Sequence, residues 1–255
     1  VFLQVSPTNR EPGAVFANVP VEIVATYFAV EKSVQYIQDP GSIGWNKSGW
    51  SVWYSPNRPD AFLSSLHAVH GNRAFLILAT SDFTWTVNGA VSFEPIRWKG
   101  DSFNLAGFGV DEVSPPTFDQ FFAASPAHHP YRVYRLVNSQ WMLVADPVQT
   151  PIRSGEAYWV YCKGASDYQG PLRTKVVAGQ GIAFTTAAES WITFANESSD
   201  PLNIHVQTVA GDLGLPLAYT IRGITQGAML PISAPLPASY SMPALESGES
   251  TSLFL

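Results

Sequence analysis

Residues 155–162 read Gly-Glu-Ala-Tyr-Trp-Val-Tyr-Cys, and the fold class turns on how this stretch is read. A strand with one wet face alternates polar and apolar side chains. From Ala157 onward this one does not. Ala157, Trp159 and Tyr161 fall on one face, and Tyr158, Val160 and Cys162 on the other. Strands covered on both faces read this way. A second glycine-led stretch, GNRAFLIL at 71–78, has the same texture, so the pattern occurs twice.

Short strand-like runs bounded by Gly, Pro, Asn and Asp recur on either side. They are FLQV (2–5), VEIVATYFAV (21–30), SVQYI (33–37), WSVWY (50–54), AFLILA (74–79), FTWTV (83–87) and FNLAGF (103–108). YRVYRLV (131–137), QWMLVA (140–145), WITFA (191–195), NIHVQTV (203–209) and TSLFL (251–255) continue the series. Many short strands at this spacing predict an all-β protein of the sandwich or barrel kind. Two short helices are expected, at 59–69 behind Pro59-Asp60 and at 116–125, where Thr117 and Gln120 form a capping-box pair.

The helices bring out a repeat. WNKSGWSVWYSP (45–56) aligns without a gap on WKGDSFNLAGFG (98–109), matching Trp45 to Trp98, Trp50 to Phe103 and Val52 to Leu105. Each copy continues into a Pro-led helix and then a glycine-led strand, where Ala74-Phe75-Leu76-Ile77 matches Ala157-Tyr158-Trp159-Val160. The second copy carries an extra hairpin with its turn at Asn138-Ser139-Gln140. The expected organisation is N-terminal strands (1–44) packing on a first β-rich unit (45–97), and a second unit (98–175). An immunoglobulin-like β-sandwich (176–255) follows, where Trp and Tyr thin out and alternation is cleaner. There 190–209 reads as a hairpin turning at Asn196–Pro201.

Composition narrows the function classes. Charged residues make up 13% and net charge is −6, with no basic run, so the electrostatic footprint of a nucleic-acid binder is missing. Apolar runs are far shorter than a membrane-spanning helix needs. The single cysteine, Cys162, excludes an intrachain disulfide framework. Low charge with 20 Pro and 19 Gly suits a secreted or cell-surface β-protein whose leader has been removed.

Residue patterns that carry chemistry each meet a plainer reading. Gly100-Asp101-Ser102-Phe103-Asn104 resembles the nucleophile block of SGNH-type hydrolases, but the Asp-x-x-His partner is missing and a turn is the expected role. His128-His129, adjacent and hence divergent, and His67/His70, at the expected helix end, complete no metal ligand set. Asp101, Asp111, Glu112 and Asp119 cluster in sequence without implying a facing pair. Cys162 ends an apolar strand and reads as inert. Asn46 and Asn196 head glycosylation sequons and read as turn residues. No cofactor or metal is expected.

Phe103-Asn104-Leu105-Ala106-Gly107-Phe108-Gly109-Val110, Trp141 and Gly155-Glu156-Ala157-Tyr158-Trp159-Val160 together resemble repeat modules of uncharacterised bacterial secreted or cell-surface proteins. Those modules carry W-N-L-x-G-F-P-V and G-E-A-Y-W-V strands, often followed by an immunoglobulin-like domain. The resemblance departs at Phe103 and Gly109, covers 98–172 well and 45–92 loosely, and implies location and architecture but no chemistry.

The expected function is therefore non-enzymatic: an extracellular structural or adhesive protein, self-assembling through strand edges into a surface layer, sheath or fibre. The alternatives are a carbohydrate-binding module using exposed Trp and Tyr, and a hydrolase accessory domain. Expected partners are copies of itself, other surface proteins or glycans. The contact residues named by this reading are Phe2, Trp53, Tyr134, Trp141 and Phe254.

Overall fold

A computed structural model describes residues 1–28, 49–177, 181–182, 184, 189–208, 217–225 and 228–255. The expected strand at 33–37, Trp45 and the sequon at Asn46 lie outside them. The protein is all-β, built of small antiparallel sheets with two short α-helices among the described residues. It divides into two compact units, Val1–Tyr168 and Gln169–Leu255.

In chain order the first unit contains β1 (Phe2–Leu3), β2 (Val5–Pro7), α1 (Pro12–Val15), β3 (Val21–Tyr27), β4 (Trp50–Tyr54), β5 (Arg73–Ala74) and β6 (Leu76–Ala79). It continues with β7 (Gly89–Val91), β8 (Ser102–Ala106), α2 (Phe118–Phe122), β9 (Val133–Val137), β10 (Gln140–Leu143) and β11 (Tyr158–Cys162). Its larger sheets run β10-β9-β11-β8 and β4-β3-β6; β1 pairs with β5 and β2 with β7.

β11 carries the stretch 155–162, and both of its faces are covered. Tyr158, Val160 and Cys162 are at most 1% exposed and face a core of Trp98, Phe108, Phe118 and Phe122. Helix α2 supplies much of that cover. It starts where Thr117 and Gln120 bond each other's backbone N–H groups, the expected capping box. On the opposite face Trp159 packs with Tyr27, Trp50, Phe103 and Trp141. The polar start of the stretch is structural too. Gly155 takes φ +74°, open to glycine at little cost, and its carbonyl accepts the Phe2 N–H at 2.7 Å. The Glu156 carboxylate accepts from the Tyr158 hydroxyl at 2.9 Å and the Arg135 guanidinium at 3.3 Å.

GNRAFLIL occupies a different position. It is broken into β5, paired with β1, and β6, an edge strand beside β3. The centre of this sheet belongs to β3, whose seven residues are buried apart from Glu22. The two stretches are therefore not equivalent central strands. β3, which comes from the N-terminal segment, pairs with β4 on one side and β6 on the other.

Three further expectations are corrected. Over 59–69 only Ala61–Leu63 is helical, as one 3₁₀ turn. The Ser64 and Ser65 hydroxyls accept the backbone N–H groups of Tyr54 and Val52 at 3.0 and 3.1 Å, holding this segment extended beside β4. FTWTV (83–87) forms no strand, although Phe83, Trp85 and Val87 do point inward by period two against the Phe16–Trp53 core. Its alternation reports burial without a ladder partner.

In the second unit lie β12 (Leu172–Val176), β13 (Trp191–Asn196), β14 (His205–Gln207), β15 (Ala218–Thr225), β16 (Ala228–Pro235), β17 (Ser239–Ser241) and β18 (Ser250–Phe254). The sheets are β12-β13-β18, β14-β17 and β15-β16. The expected hairpin at 190–209 is thus absent, since β13 and β14 belong to different sheets. Asn196, 1% exposed, explains the parting: its amide donates to the carbonyls of Asp200 and Leu245, and its oxygen accepts from the Ser198 N–H. The loop is drawn toward Leu245 instead of folding back on β13. The same bonds make Asn196 a turn residue, the role expected of its sequon.

Candidate functional site

Two features of the first unit present chemistry to solvent: the hairpin β9–β10 and a cleft beside β5. The hairpin turns at Asn138 and Ser139 with φ of 49° and 63°, both positive as a type I′ turn requires. Residues opposite one another alternate along an antiparallel ladder, and Val144 N–H bonds the Val133 carbonyl at 2.8 Å. In that register the N–H and C=O groups of Trp141 and Leu143 point away from β9. β10 is the outer strand of its sheet and carries no charge; Met142 and Leu143 are 53% and 52% exposed. Nothing of the usual protection of a strand edge, a lysine or an internal proline, is present along it.

The expected contact residues separate into two groups. Phe2 and Trp53 are 4% and 8% exposed, core residues of the folded chain that a ligand would reach only by opening it. Tyr134 and Trp141 are half-buried and share the Trp159 face of the sheet, Trp141 packing edge-on to Trp159 with ring centroids 6.1 Å apart. Phe254, in the second unit, is half-buried on β18 against the exposed Trp191.

The cleft holds about 370 Å³ and is lined by the end of β3, by β5, by the segment 94–99 and by β8. Local sequence explains its cations. Trp98 is buried and donates Nε1–H to the Tyr168 carbonyl at 2.5 Å, while its neighbours Arg97 and Lys99 line the cleft. Arg73 enters from β5, its guanidinium carbon 4.4 Å from the ring centre of Phe28. Burial pulls the Arg73 pKa below its ordinary value; nearby Glu94 acts against that shift and Arg97 with it. Two amides brace the walls. Asn72 donates to the Glu94 carbonyl, and Asn104 accepts the Lys99 N–H at 2.8 Å while donating to the Lys99 carbonyl at 3.1 Å. Gly107 closes the floor so tightly that a Cβ there would stand 2.3 Å from Phe2.

A second depression, about 530 Å³ beside Trp53, differs in its charge balance. Its Arg58 is ion-paired with Asp60 at 2.8 Å and Glu22 at 3.1 Å.

The other reactive groups have structural employment. Asp101 sits at φ 53° in the turn before β8 and accepts the Gly164 N–H at 3.0 Å; Ser102 is buried at the start of that strand. Asp111 accepts the Val113 N–H, and Asp119 the Tyr131 hydroxyl at 2.9 Å. Burial, together with that bond, pushes the Tyr131 phenol up to about 12. His128 is 2% exposed, wedged between Trp98 and Phe122, with Nδ1 2.6 Å from the Ser125 hydroxyl. Burial, with a smaller push from His129, lowers its pKa from 6.5 to about 4. Cys162 is fully buried and burial raises its thiol to about 11. Among the described residues no group of His, Cys, Asp and Glu is arranged to hold a metal ion.

Arg73, Arg97, Glu94 and Phe28 were not singled out from sequence. Their signal was faint: in a chain with few charges, Glu94, Arg97 and Lys99 fall within six residues beside a buried tryptophan.

The class of the molecule is thereby defined as an all-β protein carrying an apolar strand edge and a cation-lined cleft. Compared with known proteins, the chain matches no family model, no curated protein and no solved structure.

Proposed function

We propose that the protein is a non-enzymatic structural or adhesive component of a bacterial surface, assembling through strand edges. On this reading its first unit derives from two related β-modules and its second is immunoglobulin-like. One observation carries the proposal: β10 is an exposed, uncharged, apolar outer strand whose outward amides have no pairing partner among the described strands. An edge of this kind recruits another strand by main-chain hydrogen bonding, and Trp141, Met142 and Leu143 supply apolar area to the join. Pairing of β10 with itself gives a closed two-fold dimer, whereas pairing with a different edge gives an open chain.

Sedimentation velocity over a range of concentrations, with electron micrographs of the most concentrated samples, tests this. Assembly that Met142→Lys abolishes supports the proposal. A parent chain that stays monomeric at the highest concentration, or a Met142→Lys variant that assembles as well as the parent, sinks it.

A further inference from the structure

The cleft beside β5 contains an arginine whose surroundings are unfinished. Arg58, Arg135, Arg153 and Arg173 each form an ion pair with a carboxylate. Arg73 is half-buried, stacks on Phe28, and makes no ion pair or side-chain hydrogen bond among the described residues. Glu94 offsets part of the cost of drawing this guanidinium out of water without reaching it as an ion pair, and an anion bound directly to the guanidinium would offset more. Stacking on Phe28 leaves the edges of the guanidinium free, the geometry for bidentate grip on a planar carboxylate.

The rest of the cleft narrows the ligand. Glu94 lines it as well, so a multiply charged anion would be repelled, while a singly charged one with hydroxyl donors would find an acceptor. Phe28 is 41% exposed and offers an apolar surface to a ring. A volume of about 370 Å³ falls at the lower end of ligand sites and suits one or two rings. Asn72 and Asn104 hold the walls in place beforehand, which reduces the ordering cost of binding.

We propose that this cleft binds a carboxylate-bearing sugar, with the carboxylate on Arg73 and Arg97, the ring against Phe28 and a hydroxyl on Glu94. The site is separate from β10 and does not depend on strand-edge assembly.

Isothermal titration with galacturonic acid, a single ring bearing one carboxylate, tests it. The comparison ligands are neutral galactose, acetate, and a short peptide with a free C-terminal carboxylate. The uronate is expected to bind at least about tenfold more tightly than each of these, a difference of about 1.4 kcal/mol. Arg73→Lys keeps the charge but loses the fork and is expected to weaken uronate binding about tenfold. Phe28→Ala is expected to weaken binding of the uronate while leaving acetate unchanged. Met142→Lys should bind the uronate as the parent does, so failure of assembly and failure of binding are read separately. Near-UV circular dichroism of each variant checks the fold, since Trp98 lines the same cleft. No uronate binding, equal binding of the neutral sugar, or an unaffected Arg73→Lys variant overturns the proposal. Equal binding of acetate reduces the site to one for a bare anion, and tighter binding of the peptide makes it a chain-terminus site; either overturns the sugar assignment.

Discussion

GEAYWVYC and GNRAFLIL look alike as sequences and occupy opposite situations in the fold. The first is a central strand with α2 and its aromatic core on one face and the Tyr27–Trp50 rings on the other. The second is split between two sheets, and its longer half is an edge strand with Leu78 45% exposed. An apolar run therefore reports that a strand is attractive to cover, not that cover is available. What supplied it near β11 was a large set of aromatic partners, many of them from the same stretch of chain between Trp98 and Tyr168. Near β6 the central place was taken by β3, a longer apolar strand.

Changes that strip or load the two sides should break the symmetry of the sequences. The largest effect is expected from Phe122→Ala, which empties the fully buried ring beneath β11 and should cost about 3–5 kcal/mol, read from urea unfolding. If that variant unfolds like the parent, the α2 face is not the main support of β11.

The same core should respond to acid. His128 has a folded-state pKa near 4 against an ordinary 6.5, so between these values the unfolded chain binds the extra proton and the folded chain does not. Stability attributable to this group is complete above pH 6.5, falls as the pH drops toward 4, and changes no further below it. His128→Phe, measured by thermal unfolding across that window, should lose this slope. An unchanged slope would assign it to the carboxylates.

A smaller loss, about 1 kcal/mol, is expected for Thr117→Ala, which removes the cap of α2 and only loosens the cover. The smallest is Leu78→Ala on β6, about 0.5 kcal/mol, because nearly half of that side chain is already in water. A Leu78→Ala loss as large as that of Phe122→Ala would mean the edge strand is as well covered as the central one.

Much of this architecture was legible beforehand. The two-faced burial of 157–162, the Thr117–Gln120 cap and the hairpin turn at Asn138-Ser139 are local signals, and local signals survive folding. Partner choice was not legible. Nothing within 191–207 says that β13 pairs with β12 and β18, because those strands come from the far ends of the second unit. The helix expected at 59–69 failed for a related reason: Ser64 and Ser65 found backbone donors on β4, a choice made outside the segment itself. The cleft was the least visible feature. Phe28, Arg73 and Arg97 are far apart in the chain and meet only because β5 lies beside β8 and the end of β3.

The aromatic contact between the two larger sheets has an optical consequence. Trp50 lies 5.9 Å from Trp159 at 83°, and Trp159 lies 6.1 Å from Trp141 at 62°. Three indoles so close act as coupled oscillators, and a skewed set of coupled oscillators splits its absorption into circular-dichroism bands of opposite sign. The rings belong to β4, β11 and β10, strands drawn from separate parts of the chain. The split signal is consequently a gauge of their mutual geometry, and any event that moved the outer hairpin would be written in its amplitude.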